Sequence, residues 1–280
     1  MAARRRGKKK SGRSYAWRYR GRIVACVFVE VIIICALVIM IGWNKGVKEW
    51  FEQFEQPVLK EVDISGINSP NAILMQARGG KILGEINGEA QIYPASMTKI
   101  MTVILGIENF DDLDEKITLT NEMFPGLYEQ DATQAGFQPG EEVRVIDLLY
   151  GAMLPSGAEC CIALADTISG SEADFAELMN KKAGKLGMEN THFCDSTGLH
   201  NPDHYSTVKD IAVLMKYCIK NDTFREIVET SRHSTGVTNI HPDGITYYST
   251  MFKNLSDPTV TGGKILGGKT GYTSEAGHCL

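Results

Sequence analysis

The first 22 residues contain no aspartate or glutamate, although acidic residues outnumber basic ones in the chain as a whole. This segment carries ten Lys or Arg, so the formal net charge of −5 divides into +10 before Ile23 and −15 from there on. A basic head of this kind is typical of a nucleic-acid-binding arm or of the cytoplasmic flank of a membrane span. Either way, the two parts of the chain are expected to face different surroundings.

Charge is also nearly absent from residues 23–43, an apolar run of twenty-one residues interrupted only by Glu30. A helix of about 20 apolar residues spans a bilayer, and one acidic residue costs roughly 2.5 to 3.5 kcal/mol, less than the other side chains contribute. The run therefore predicts a transmembrane anchor, with 1–22 as a basic cytoplasmic segment and the rest of the chain outside the cell membrane. A cleaved signal peptide is the alternative, but no small-residue cleavage site follows. The adjacent span also argues against nucleic-acid binding.

A cysteine framework is missing as well. Five of the seven cysteines follow residue 43, with no regular spacing, no C-x-x-C pair and no H-E-x-x-H segment elsewhere. These absences argue against a disulfide scaffold and against a zinc site, so neither a metal nor another cofactor is expected. The cysteines are predicted to be small buried hydrophobic residues.

Residues 44–69 are polar and aromatic and are interpreted as a stalk, and residues 70–280 as the folded domain. Short strands are predicted at both ends of that domain, around a helical middle. The predicted strands cover 72–77, 81–86, 245–250, 264–268 and 276–280, and the predicted helices cover 94–109, 146–154, 158–168, 172–186 and 207–219. Gly79-Gly80 indicates a hairpin, and Ser171 and Thr207 begin capping boxes. The pattern predicts an α+β domain with one antiparallel sheet assembled from distant segments.

The first motif with chemical potential is Ser96-Met97-Thr98-Lys99. On a helix, positions i and i+3 share a face, which places the hydroxyl of Ser96 beside the amine of Lys99. A helix start favours a developing alkoxide, so this is a candidate nucleophile beside a candidate base. A lysine amine can accept a proton only when it is neutral, and burial beside a second cation lowers its pKa in that direction. Taken alone, the motif is common.

Two further motifs supply a candidate proton relay and a candidate second cation. Ser156-Gly157-Ala158 lies in a break between helical runs, where a hydroxyl can relay a proton, although Ser-Gly is more often a simple turn. Lys269-Thr270-Gly271 is predicted at the end of a strand and is followed by Tyr272. There a lysine and a threonine can hold a carboxylate, and Lys269 is the candidate second cation. The alternative is a surface lysine before a turn.

The order and spacing of these motifs resemble the penicillin-recognising serine enzymes. The surrounding segments PASMTKIMT, THFCDSTGLHNPDHYST and GGKTGYTSEAGHCL look like the serine-type D-alanyl-D-alanine carboxypeptidases, the low-molecular-mass penicillin-binding proteins. The resemblance runs from about residue 69 to the last residue. It implies a β-lactamase/transpeptidase-like fold, with an antiparallel sheet, surrounding helices and a helical subdomain. It also implies action on peptidoglycan pentapeptide stems and covalent binding of beta-lactams.

By this resemblance Ser96 is the acylated nucleophile, Lys99 its proton acceptor and Ser156 the proton relay. Lys269, Thr270 and Gly271 are expected to bind the terminal carboxylate of the substrate. The backbone N–H groups of Ser96 and Tyr272 are expected to form the oxyanion hole.

The sequence departs from the family pattern in two ways. The second motif usually ends in Asn, but position 158 is Ala. Family domains also continue with further strands, so the resemblance implies that the sequence stops inside the domain, at Leu280. The first departure predicts an altered hydrogen-bond network and substrate fit.

Three rival functions remain open at this point. A class A β-lactamase needs a general-base Glu in an E-x-x-x-N loop, and Glu177-x-x-Asn180 is one residue too short. A zinc peptidase would use His192, His200, His204 and Asp195, whose spacing fits no zinc signature. A weakly active wall-bound scaffold or sensor is suggested only by Ala158. Oligomeric state is not predicted.

Overall fold

The computed structural model describes residue 31, residues 60–255 and residues 257–280. The predicted anchor at 23–43 lies outside the described residues, apart from residue 31. Within the part of the chain that is described, no helix is both long and apolar enough to cross a bilayer. Residues 60–280 form one compact unit, in which the N–H of Val62 donates to the carbonyl of Leu83 over 2.6 Å. This unit begins before the predicted domain start at residue 70.

The described unit has an α+β architecture. Its helices are α1 (Lys99–Asn109), α2 (Val145–Met153), α3 (Ala158–Ser169), α4 (Glu172–Leu186), α5 (Val208–Cys218) and α6 (Asp222–Glu229). Its strands are β1 (Ala72–Met75), β2 (Ile82–Ile86), β3 (Lys116–Thr118), β4 (Glu142–Arg144), β5 (Arg232–Ser234), β6 (Thr246–Tyr248), β7 (Thr259–Val260), β8 (Gly263–Lys264), β9 (Gly271–Thr273) and β10 (Gly277–Cys279).

Helix α1 is the centre of the hydrophobic core. Every residue from Lys99 to Gly106 is buried, and the helix packs against each of the five other helices described above. A helix that is apolar on all sides has to be enclosed by other elements, which explains this central position. Gly106 permits the close approach of α2, because an added Cβ would lie 2.7 Å from Cδ2 of Leu149. The start of α1 is therefore held rigidly in the middle of the domain.

Local sequence signals set the helix boundaries. The hydroxyls of Ser171 and Thr207 accept the backbone N–H groups of Asp174 and Asp210, which confirms these two residues as N-caps, the first half of the predicted capping boxes. Helix α6 was not predicted, although the side chain of Asn221 caps it in the same way. The predicted helix at 94–109 begins as a 3₁₀ turn over Ala95–Thr98 before α1.

The strands are antiparallel, as predicted, but they pair only in twos within the described residues: β1 with β2, β3 with β4, β5 with β6, β7 with β8, and β9 with β10. The prediction of one sheet assembled from distant segments is therefore wrong for the described residues. Three of the pairs close over short connections, so their hydrogen bonds form locally at little cost in loop entropy.

The predicted strand over 264–268 is also wrong, since only Lys264 at its start is paired. Gly267 explains the path of the chain here, because an added Cβ would overlap the carbonyl oxygen of Val228 at the end of α6. This close approach to a helix, instead of a neighbouring strand, fixes the backbone. Lys269 and Thr270 consequently lie just before β9 and not at the end of a strand.

Candidate active site

Ser96 and Lys99 lie together at the entrance to α1. The Nζ of Lys99 donates to the Oγ of Ser96 over 3.1 Å, and also to the carbonyl oxygen of Thr197 over 2.6 Å. Lys99 is buried, whereas Ser96 is only partly covered. In a 3₁₀ turn, residues i and i+3 are eclipsed, so the local geometry brings the two side chains together. A nucleophile hydroxyl and an amine are thus in direct contact.

The turn that carries Ser96 is strained and enclosed from two sides. Ala95 has a φ of +47°, a left-handed conformation that costs roughly 1–2 kcal/mol for a residue with a Cβ. A Cβ added at Gly198 would overlap the carbonyl oxygen of Ala95, and one added at Gly271 would lie 3.0 Å from the backbone nitrogen of Ser96. Strain of this kind persists where surrounding structure imposes it, which is common at active sites.

Ser156 approaches the site from the break between α2 and α3. Its φ of +73° is again left-handed, and its side chain is buried. The Nζ of Lys269 donates to its Oγ over 3.1 Å, across 113 residues of sequence. The second and third motifs therefore meet at a serine hydroxyl.

Lys269 is the most electrostatically perturbed group of the site. Burial, with the charge of Lys99 as the second cause, lowers the pKa of Lys269 from 10.5 to about 7. Its ammonium also donates to the carbonyl oxygen of Thr270 over 2.6 Å. The charge of Lys99 thus acts on Lys269, whose own amine can gain or lose a proton near neutral pH.

The strand that follows borders the nucleophile turn. The hydroxyl of Thr270 lies 2.6 Å from that of Thr250, and Gly271 packs its backbone against the Ser96 turn. The side chain of Tyr272 is 62% exposed and its ring lies 4.8 Å from that of His278 on β10. Among the residues that the structure describes, β9 pairs with β10 alone, which leaves its other edge for an extended ligand.

Position 158 is the first residue of α3. Ala158 is buried, and its N–H donates to the carbonyl oxygen of Thr133 over 2.8 Å. The next residue, Glu159, accepts the N–H groups of Ala135 and Gly136 over 2.6 and 2.8 Å. Burial raises the pKa of Glu159, and these N–H groups act against the rise. The loop at 133–136 therefore backs the second motif, a contact the sequence did not reveal.

The segment from Asp195 to His204 also reaches the site; the sequence marked it as part of a family-like segment and as a candidate zinc region, but not as a neighbour of Lys99. Thr197 contributes the carbonyl that binds Lys99, and Gly198 lies against Ala95. The imidazole Nε2 of His204 lies 2.8 Å from the hydroxyl of Thr98. The run of Asp, Ser, Thr and Gly before Leu199 indicated a turn, but nothing in it indicated which residues it contacts.

The groups considered for the rival functions have other partners. His192 lies 2.7 Å from the carbonyl oxygen of Asp203, and Asn180 holds the backbone of Phe193 at both its N–H and its carbonyl. Glu177 is exposed on α4. Within residues 60–255 and 257–280, no three His, Cys, Asp or Glu side chains form a group that could hold a metal. The five cysteines there are free; Cys160, Cys161 and Cys218 are buried as predicted, and Cys194 and Cys279 are partly exposed.

Comparison with known proteins points to one family. The sequence profile of the D-alanyl-D-alanine carboxypeptidases matches residues 58–280. The chain is 34% identical over 210 residues to D-alanyl-D-alanine carboxypeptidase DacF of Bacillus subtilis, covering 75% of this chain and 52% of that protein. It is 37% identical over 193 residues to a D-alanyl-D-alanine carboxypeptidase of Streptomyces sp. strain K15, covering 66% of this chain and 65% of that one.

Solved structures agree with these relatives. The crystal structure of the Streptomyces K15 DD-transpeptidase superposes with a TM-score of 0.69 at 30% identity, covering 78% of this chain and 86% of that one. Penicillin-binding protein 5 of Haemophilus influenzae gives a TM-score of 0.65 at 27% identity, covering 78% and 61%. The chain spans about half the length of several curated relatives, DacF among them.

Proposed function

Because the chain belongs to the D-alanyl-D-alanine carboxypeptidase family, we propose that it is a serine carboxypeptidase that removes the terminal D-alanine from peptidoglycan pentapeptide stems. The observation that carries the proposal is the meeting of two serine–lysine pairs in one site. Ser96 contacts Lys99, Ser156 contacts Lys269, and each contact is 3.1 Å long.

The reaction proceeds through an acyl-enzyme. The Oγ of Ser96 attacks the carbonyl carbon of the peptide bond between the two D-alanines, while Lys99 accepts the hydroxyl proton. The backbone N–H groups of Ser96 and Tyr272 stabilise the oxyanion, and removing one such donor typically costs about 10²- to 10³-fold in rate. Collapse of the tetrahedral intermediate breaks the C–N bond, and the leaving nitrogen receives a proton through Ser156. Water then hydrolyses the ester and releases the shortened stem.

Lys269 and Thr270 recognise the terminal carboxylate of the substrate. A buried ammonium whose pKa lies near 7 gains its charge most readily when an anion binds beside it. Gly271 lets β9 pack directly against the Ser96 turn, so that a substrate extended along β9 would lie close to the nucleophile. Beta-lactams resemble the same acyl-D-alanyl-D-alanine end and acylate Ser96. Their opened ring stays attached, so no leaving group departs.

The N-terminal sequence supports a location for this activity. We propose that residues 23–43 anchor the protein in a bacterial cell membrane, with 1–22 in the cytoplasm. Residues 44–59 would connect the anchor to the compact unit at 60–280, placing it beside the cell wall. Protease treatment of intact and lysed cells tests this topology. Only lysis should expose the basic segment, whereas the domain should be cleaved in both.

Mass spectrometry after incubation of the full chain with benzylpenicillin tests the function. We expect a covalent adduct on the peptide that contains Ser96, and release of D-alanine from a peptide ending in D-alanyl-D-alanine. Ser96→Ala should lose both, whereas Ser169→Ala, at the far end of α3, should keep both and serves as the matched control. Labelling and release that persist in Ser96→Ala would refute the proposal.

The penicillin experiment and two further assays separate the rival functions. The buried methyl group of Ala158, where the family usually has a polar amide, favours a second candidate, a weakly active penicillin-binding scaffold. A scaffold would form the adduct without releasing D-alanine. Rapid turnover of a chromogenic cephalosporin would indicate a β-lactamase, and loss of peptidase activity with a chelator would indicate a metal enzyme.

A further inference from the structure

We propose that Asp195 and His204 form a positioning pair that fixes Ser96 and Lys99 in the geometry needed for acylation. This inference rests on the proposed function and adds two residues to it. Neither residue belongs to the three sequence motifs, and neither contacts Ser96 directly.

His204 is held on both sides of its ring. It is 2% exposed, its Nε2 lies 2.8 Å from the hydroxyl of Thr98, and its Nδ1 lies 3.2 Å from Oδ2 of Asp195. The ring of Phe193 packs edge-on against it, with 5.6 Å between centroids. A buried imidazole with both nitrogens in polar contact has a fixed orientation. Thr98, which lies between Ser96 and Lys99, is fixed with it.

Asp195 organises the loop that meets Lys99. Its Oδ1 accepts the N–H of Thr197, the hydroxyl of Thr197 and the N–H of Gly198, each over 2.7 Å. Burial by itself would raise the pKa of Asp195. The hydrogen bond and charge of His204, together with these loop donors, outweigh burial and lower the pKa from 3.8 to about 2. The carboxylate therefore remains charged at neutral pH and closes the loop into a tight turn.

The closed turn acts on the catalytic residues at two points. The carbonyl oxygen of Thr197 accepts from Lys99, and Gly198 presses against the strained Ala95. A lysine side chain has four rotatable bonds, so a fixed carbonyl is needed to hold its amine 3.1 Å from Ser96. A displacement of about 1 Å in such a geometry can cost about 10²-fold in rate. The Asp195–His204 pair thus holds the nucleophile through Thr98 and the base through Thr197.

Substitution at Thr98 tests the Asp195–His204 pair while leaving both of its residues in place. Valine has nearly the same shape as threonine but lacks the hydroxyl. Thr98→Val removes the hydroxyl that contacts His204, and Thr98→Ser restores it. The matched control is Thr102→Val, because Thr102 is equally buried, lies one turn further along α1, and donates over 2.6 Å to the carbonyl of Ser196 in the same loop. Stopped-flow measurement with a fluorescent penicillin gives the non-covalent dissociation constant and the acylation rate constant separately.

We expect Thr98→Val to lower the acylation rate constant about 10- to 100-fold and to leave the dissociation constant within about twofold. Thr98→Ser should recover most of the rate. Thr102→Val should lose thermal stability but acylate at nearly the wild-type rate. Equal acylation losses in Thr98→Val and Thr102→Val would overturn the proposal, since both would then report only loop stability. So would an unchanged rate in Thr98→Val.

Asp195→Asn provides a second route if Thr98→Val does not fold. Its amide oxygen can still accept the loop N–H groups, but the negative charge beside His204 is lost. Acylation should fall by a similar factor, and a wild-type rate in this variant would refute the pair. Where Thr98→Val and Asp195→Asn both fold, the double variant should acylate no more slowly than the slower of the two single variants, because the residues act as a unit. Absence of acylation in the wild-type protein would instead refute the proposed function.

Discussion

Replacing Lys269 by methionine should stabilise the folded protein at neutral pH while impairing its reaction with penicillin. The side chain is 2% exposed, and burial together with the charge of Lys99 lowers its pKa from 10.5 to about 7. Between these values the unfolded chain binds a proton that the folded chain does not. The stability of the wild type therefore rises with pH across this window, and below about 7 the full cost of the buried charge is present.

The size of the effect follows from the two pKa values. A difference of about 3.5 pH units corresponds to about 5 kcal/mol, at 1.36 kcal/mol per unit. Methionine also loses the hydrogen bonds to Ser156 and Thr270, worth about 1 kcal/mol each at every pH. Relative to wild type, Lys269→Met should be more stable by about 3 kcal/mol at pH 6 and less stable by about 2 kcal/mol near pH 10.5.

Urea unfolding of both proteins between pH 6 and 10.5 measures this difference. Lys264→Met, which removes an exposed lysine of β8, is the control for a change in overall charge. Groups that do not interact with Lys269 titrate alike in both proteins and cancel in the difference between variant and wild type. A difference that stays constant over this range would refute the reasoning, because it would mean that Lys269 carries no perturbed charge in the folded protein.

Two further substitutions probe the site itself. Gly271→Ala should slow acylation about 10-fold or more, since its Cβ would lie 3.0 Å from the backbone nitrogen of Ser96 and displace β9 or the turn; an unchanged rate by stopped flow would contradict this. Ala158→Asn should change the kinetics of D-alanine release, because it places an amide where a buried methyl group now lies. Kinetics equal to those of wild type would count against a role for this position in substrate fit.

Local signals in the sequence were enough to predict much of the helical framework. Helix α4 was predicted with its observed bounds, because Ser171 and the turn at Gly187 mark its two ends. Helix α6 was missed because it has only eight residues, although Phe224, Ile227 and Val228 recur at helical spacing and Asn221 caps it. The strand predicted over 264–268 failed because Ile265 and Leu266 have strand character, whereas Gly267 brings the chain against the end of α6.

The motifs of the candidate site were visible in the sequence, but the residues that hold them in position were not. Three motifs identified Ser96, Lys99, Ser156 and Lys269, which the structure places in two contacts, Lys99 with Ser96 and Lys269 with Ser156. The carbonyl of Thr197 has no sequence signature, because every residue has a carbonyl and only the fold decides which one faces the amine. His204 was considered as a zinc ligand from its residue type alone. Its contact with Thr98 depends on packing over 106 residues of sequence.

The contacts that build this site join parts of the chain that are far apart in sequence. Lys99 meets Thr197 over 98 residues, and Ser156 meets Lys269 over 113. Contacts of such long range are costly to form, because the entropy of closing a long loop has to be overcome. A chain with its hairpins and helices formed but these contacts open has no nucleophile site. Under the proposed function, covalent uptake of penicillin is therefore expected to report whether these long-range contacts have formed, which helix content alone does not.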